Sequence, residues 1–276
     1  KRLDEIASCL AKYRKILSDE EKKRWQEDSR SPSVPTFDEV FNMEVGNDPK
    51  EFVKTVIGKL KHGVKLLDLD RLWNAAYIHD RILKAVQDIC LENSSGHENK
   101  ICHVELCTTE PLKLSTDAVN SHPLLEVTWT CIGPNVDEMD ESTLVQLQAK
   151  KVSANLDDKR FAPPADVKNL DVAMLDKVLS KKSNPVEYLK KCMTLLREDG
   201  FLIITEVTSD YEVAYVMQGL LDIQIGFEGN DRKYGAYFTH EQLCDIFKEC
   251  NLNVCNYQTD PSMMTTMYAV RKIGTH

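Results

Sequence analysis

Val104-Glu105-Leu106-Cys107-Thr108-Thr109-Glu110 closes an apolar run, residues 101–106, that reads as a buried β-strand. In an α/β domain, the segment leaving the first strand is where the backbone comes close to a bound cofactor, and glycine permits that approach. Between Gly96 and Gly133 this chain has no glycine. Working outward, a second strand is expected at 125–131, a third at 170–175 and a fourth at 201–207. These short runs alternate with helical stretches, which implies a parallel sheet with crossover helices. After a helix at 239–250 come two strand-like runs, 252–258 and 264–271. Asp260-Pro261-Ser262 separates them, a turn signal that permits an antiparallel hairpin.

The first third of the chain has a different texture. Leu3, Ile6, Leu10, Tyr13 and Leu17 recur in steps of three and four, one apolar stripe on a helix docked to its own domain. Pro32 and Pro35 stop that pattern. Asn47-Asp48-Pro49-Lys50-Glu51 then gives a helix start, with a cap, a proline in the first turn and a glutamate following. Further helical patterns run over 52–67 and 72–91, with a break allowed near His79. The expected organisation is a helical N-terminal subdomain (1–95), an α/β core (96–273) and a short tail (274–276).

The chain has 276 residues, 42% hydrophobic and 29% charged, values ordinary for a globular domain. A formal net charge of −9 argues against nucleic acid and anionic membranes as partners. No apolar run approaches the length of a membrane span, no leader pattern opens the sequence, and its start at Lys1 suggests an excised piece of something longer. The nine cysteines are scattered and odd in number, which reads as reduced core thiols in the cytoplasm. Cys102-His103 with Cys107, and Cys244, Cys250 and Cys255, bring metal to mind. Neither set has a C-x-x-C pair, and strand or helix alternation would split the ligands between faces, so no metal is expected.

Asn184-Pro185 opens an apolar-faced helix with an Asn cap and a first-turn proline. Arg197-Glu198-Asp199-Gly200 reads as its close, with Gly200 in the left-handed conformation that follows many helices. Phe201-Leu202-Ile203-Ile204-Thr205-Glu206 follows as a strand buried on both faces. This helix-turn-strand unit resembles the L-x-x-G-G-x-L strand entry of S-adenosylmethionine-dependent methyltransferases. No other chemistry stands out: there is no G-x-S-x-G, no phosphate-binding loop and no H-E-x-x-H. His122, before Pro123, reads as a turn or cap residue, and His240 as the first turn of a helix.

The resemblance sharpens with Ser121-His122-Pro123-Leu124-Leu125-Glu126-Val127-Thr128-Trp129-Thr130. Taken with Asp88-Ile89-Cys90-Leu91-Glu92-Asn93, Leu170-Asp171-Val172-Ala173, Leu196 to Leu202 and Tyr234-Gly235, the segment 72–272 resembles the pseudo-methyltransferase domain of animal, here by expectation invertebrate, fatty acid synthase. That resemblance implies a Rossmann-like, methyltransferase-type α/β sheet in a non-catalytic domain of a large cytoplasmic homodimeric multienzyme. Its partners would be neighbouring domains of the same polypeptide.

Functional relatives carry E-x-G-x-G-x-G after the first strand. Here the register gives Glu105, Leu106, Cys107, Thr108, Thr109 and Glu110, so only the glutamate matches. Side chains at Cys107, Thr109 and Glu110 would occupy the methionine end of the cofactor site. The acid expected after the second strand, which holds the ribose hydroxyls, is replaced by Gly133; Asp137, Glu138, Asp140 and Glu141 lie just beyond. Losing those charged hydrogen bonds costs about 1.5–3 kcal/mol, roughly tenfold to a hundredfold in affinity. The expectation is therefore a vestigial pocket, no catalytic residue and no cofactor. Two alternatives stand beside it: a divergent active C-methyltransferase of a polyketide synthase-like enzyme, and a module that senses a ligand without turnover.

Overall fold

The computed structural model describes residues 76–93, 97–105, 119–120, 122–139, 144–145, 148–208, 237–259 and 265–273. The expected helical subdomain lies outside these residues except for its last helix, α1 (Ala76–Glu92), which passes through His79 without a break. The loop 106–110 and the segment holding Tyr234-Gly235 also lie outside them.

Among the described residues, seven strands form one sheet: β1 (Asn99–Val104), β2 (Val127–Gly133), β3 (Ala149–Ser153), β4 (Leu170–Asp176), β5 (Leu196–Val207), β6 (Leu252–Thr259) and β7 (Thr265–Lys272), in the order β3-β2-β1-β4-β5-β7-β6. β1 to β5 run parallel, while β7 enters antiparallel between β5 and β6. The expected parallel set with a terminal hairpin is thus present. β3 is an addition that the pattern of the sequence did not suggest. It is an edge strand reading Ala-Lys-Lys-Val-Ser, and its lysines keep the open edge charged.

Alternation sends each strand's side chains to two cores. On one face, Ile82, Val86, Ile89 and Cys90 of α1 form a single helical stripe and pack on Ile101, Trp129, Val172, Ile203 and Met267. On the other face lie α2 (Pro185–Met193) and α3 (His240–Glu249). They bring Tyr188, Leu189, Cys192, Leu243, Ile246 and Phe247 against Leu202, Ile204, Tyr268 and Val270. Removing each such large apolar side chain from water contributes about 1.5–3 kcal/mol.

Both helices start as their sequences predict. The Asn184 side chain accepts the Glu187 amide ahead of α2, and Thr239 and Gln242 form a reciprocal capping box at α3.

The expected helix close at 197–200 is corrected. α2 ends at Met193, and Arg197 to Gly200 already belong to β5. Gly200 is required there for space, because a Cβ at that position would sit 2.7 Å from the backbone oxygen of Leu170. That contact falls where the β4–β5 register shifts, between Leu170 and Val172. At the same end of the sheet, the fully buried Asp171 ties strands and helix together. It accepts the Lys100 amide at 2.8 Å and His97 Nε2 at 3.0 Å, and lies 3.0 Å from Arg197 Nε. Arg197 in turn donates to the side chain of Asn93, just past α1.

Candidate functional site at the carboxyl edge of β1 and β2

β1 and β2 end side by side, so the segments leaving the two strands share one cleft at the carboxyl edge of the sheet, where open α/β folds place their ligands. Glu105 comes directly after β1 with φ of 50°, a left-handed conformation that glycine adopts more readily. Its amide still donates to the Ile132 carbonyl at 2.8 Å, so the turn is anchored to β2. Gly133 ends β2 directly opposite: a Cβ built there would lie 3.4 Å from the Glu105 Cα and 3.5 Å from its Cγ. The two positions singled out in the sequence therefore meet in space. A cleft of about 240 Å³ opens beside them, bounded by Pro134, Asn135, Val136, Met139 and Lys181.

The Glu105 carboxylate is already engaged. Oε1 accepts from Lys182 Nζ at 2.7 Å and from the Tyr188 hydroxyl at 2.8 Å, while Oε2 accepts from Lys182 Nζ at 2.6 Å. Lys182 also donates to Asp157 Oδ2 at 2.8 Å, and its ammonium lies 4.3 Å from the Tyr188 ring centre.

One segment of chain places both donors. A 3-10 turn at Leu179–Lys181 leaves β4 and delivers Lys182, and α2 begins at once and presents Tyr188 one turn later. The start of that turn is itself held by Glu206 of β5, whose Oε1 accepts the Leu179 and Ser180 amides at 2.7 and 3.3 Å. Burial pushes the Glu206 carboxyl up to about 7, against a smaller lowering from those amides. Burial and the nearby Cys192 and Glu105 push the Tyr188 phenol well above its ordinary value, so it stays a donor.

The remaining acids and bases stand elsewhere. Asp137 and Glu138, the sequence's substitutes for the missing ribose acid, are exposed on a 3-10 turn after β2; Asp140 and Glu141 lie outside the described residues, as do Leu106, Cys107, Thr108, Thr109 and Glu110. His103 is buried and stacks flat on Trp129, with ring centres 5.2 Å apart, on the face that α1 covers. Burial lowers it to about 3, so it is neutral. His122 sits in a turn, its Nδ1 3.4 Å from the Leu124 amide. Cys102 points into the α2 and α3 core while His103 faces the opposite one, so the pair cannot share a metal. Among the described residues no group of three or more His, Cys, Asp or Glu is placed to hold a metal ion, and no helix is long and apolar enough to cross a membrane.

No protein-family model and no curated protein sequence matches this chain. Solved structures do. The chain is similar to the CMeT domain of the citrinin polyketide synthase, with TM-score 0.53 and 12% identity over 85% of this chain and 58% of that one. It is similar to the trans-methyltransferase CalH, solved with SAH, with TM-score 0.54 and 17% identity over 82% and 66%. It is also similar to the mitomycin 7-O-methyltransferase MmcR, with TM-score 0.51 and 12% identity over 82% and 71%. The chain therefore spans less than two thirds of the citrinin and CalH structures. Identities this low speak to fold, and the fold is Rossmann-like, of the S-adenosylmethionine-dependent methyltransferase type.

Proposed function

We propose that this chain is a methyltransferase-fold module that transfers no methyl group, and that it serves as a structural element of a large acyl-chain-building multienzyme of the fatty acid synthase kind. The observation that carries the reading is the engagement of Glu105. A carboxylate bound by an ammonium and a phenol must give up charged hydrogen bonds, each of about 1.5–3 kcal/mol, before it can serve a ligand. Gly133 offers no carboxylate for a ribose diol on the neighbouring strand. Among the described residues, buried apolar cores pack on both faces of the sheet, which supports reading the module as a retained scaffold. That one structural neighbour is a domain of a polyketide synthase supports placing the module within a multienzyme. Its partners are then neighbouring domains of the same polypeptide, in a cytoplasmic homodimeric parent that needs no cofactor at this site.

Calorimetric titration of the folded chain with S-adenosylmethionine and then S-adenosylhomocysteine, each to millimolar concentration, tests the reading. No heat from either is the expected result. Micromolar binding followed by methylation of a β-ketoacyl thioester on a carrier protein would overturn it in favour of a divergent active C-methyltransferase. Saturable binding without turnover would point to a ligand-sensing module.

A further inference from the structure

The described cysteines are of three kinds. Cys90, Cys102, Cys131, Cys192 and Cys250 are buried. Burial is the main cause that pushes these thiols up, Cys131 and Cys250 to about 11, Cys90 to about 12, and Cys102 and Cys192 well above the ordinary thiol value. Thiols held protonated in a core are poor nucleophiles. Cys255 is exposed on the edge strand β6, with the Asn253 side chain and carbonyl near its sulfur.

Cys244 is placed differently. It is half-buried on α3, one helical turn beyond His240, and its Sγ lies 3.5 Å from His240 Nε2. The other ring nitrogen, Nδ1, lies 2.9 Å from the hydroxyl of the fully buried Tyr268. Tyr257 and Tyr268 hold the imidazole ring, their centres 4.6 and 5.6 Å from its own. Nucleophile, base and a third group that orients the base thus stand in one row, the arrangement that activates a nucleophile. The nearest carboxylates along α3, Glu241 and Asp245, point to solvent.

We propose that Cys244 is a reactive thiol, activated by His240, whose target is a small disulfide with which it forms a mixed disulfide. The proton has a place in either tautomer. If Tyr268 donates to Nδ1, the thiol proton leaves to water and Nε2–H donates to the thiolate that remains. If Nδ1–H donates to the Tyr268 oxygen, Nε2 takes the thiol proton and the thiolate faces an imidazolium. The thiolate attacks one sulfur of the incoming disulfide; a new S–S bond forms as the old one breaks. The departing sulfur leaves as a thiolate and takes a proton from the imidazolium or water. The Cys244 sulfur is oxidised, and the incoming disulfide is the oxidant and is reduced. Tyr268 acts as a positioning residue.

The test uses the full chain, exposed in one arm to glutathione disulfide and in another to iodoacetamide pulses from pH 5 to 10. Each cysteine peptide is quantified by mass spectrometry, with the urea-unfolded chain as reference. Expected is glutathione on Cys244 ahead of Cys255, and a labelling midpoint for folded Cys244 at least about one pH unit below that of the same thiol unfolded, where a free cysteine titrates near 8.5. His240→Gln should return the midpoint to the unfolded value, and Tyr268→Phe should move it part of the way, with folding of each variant verified by circular dichroism. If His240→Gln does not fold, Tyr268→Phe alone decides. A folded midpoint equal to the unfolded one, absence of the adduct at Cys244, or a midpoint indifferent to the substitutions in folded protein would overturn the proposal.

Discussion

Replacing Lys182 with methionine tests whether the Glu105 network holds this end of the sheet together. The side chains of Lys182 and Glu105 are 8% and 17% exposed, so their 2.6 Å pair is shielded from solvent, whereas Asp157 is 56% exposed and its leg is screened. An exposed pair contributes about 0–1 kcal/mol, and stranding one member of a buried pair costs about 3–5 kcal/mol. Glu105 keeps the Tyr188 hydroxyl and some contact with water, so the expected loss for Lys182→Met is about 2–3 kcal/mol, below the fully buried limit. Adding Glu105→Gln removes the stranded charge, and the double variant should recover about 1–2 kcal/mol of that loss. Urea unfolding of the four proteins in the cycle gives these differences, and melting temperatures should fall by roughly 2 °C per kcal/mol for a chain of this size. The loss should persist in high salt, because a shielded pair is weakly screened. A Lys182→Met variant within about 0.5 kcal/mol of the parent, the range of ordinary surface changes, or an additive cycle, would refute the reasoning.

Glu206 and Gly200 give two more tests. Folding raises the Glu206 carboxyl from its ordinary 4.5 to about 7, so the native state holds the proton more tightly than the unfolded chain. Its contribution is therefore full below about pH 4.5 and is lost as pH rises through about 7. Glu206→Gln should flatten the stability profile over that window and gain up to about 3 kcal/mol at pH 8, measured by denaturant midpoints. Gly200→Ala should cost about 1–3 kcal/mol by overpacking against the Leu170 carbonyl. Gly200→Asn should cost at least as much; a nearly neutral Asn variant would restore the left-handed helix cap and contradict the strand placement.

Local chemistry was legible where one residue decides a backbone choice. Asn184-Pro185 and Thr239 mark helix starts that the structure reproduces, and Asp260-Pro261 separates the two antiparallel strands. β3 escaped because Ala149-Lys150-Lys151-Val152-Ser153 buries too little to alternate clearly. Gly200 misled because a glycine needed for close packing has the same letter as one needed for a left-handed turn. At the site, Glu105 was found as the one residue that keeps an expected pattern, and Gly133 as a departure from one. Lys182 and Tyr188 were not, since they reach Glu105 across 77 and 83 residues of chain, and Lys182 sits in a Ser-Lys-Lys-Ser run that reads as solvated surface. No periodicity encodes a partner that distant.

The place of β7 sets a timetable for the chain as it leaves the ribosome. β6 is made first, yet it has no berth on β5, because β7 occupies that position and carries β6 on its outer side. Until Thr265–Lys272 has emerged, β5 shows a bare edge and Tyr268 and Val270 are missing from the core beneath α3. A nascent chain halted before Thr265 would therefore lack two strands of the sheet, not one, and would expose an unpaired edge for other chains to join. This far side of the sheet is therefore sealed only by β7, the last of the described strands to be synthesised.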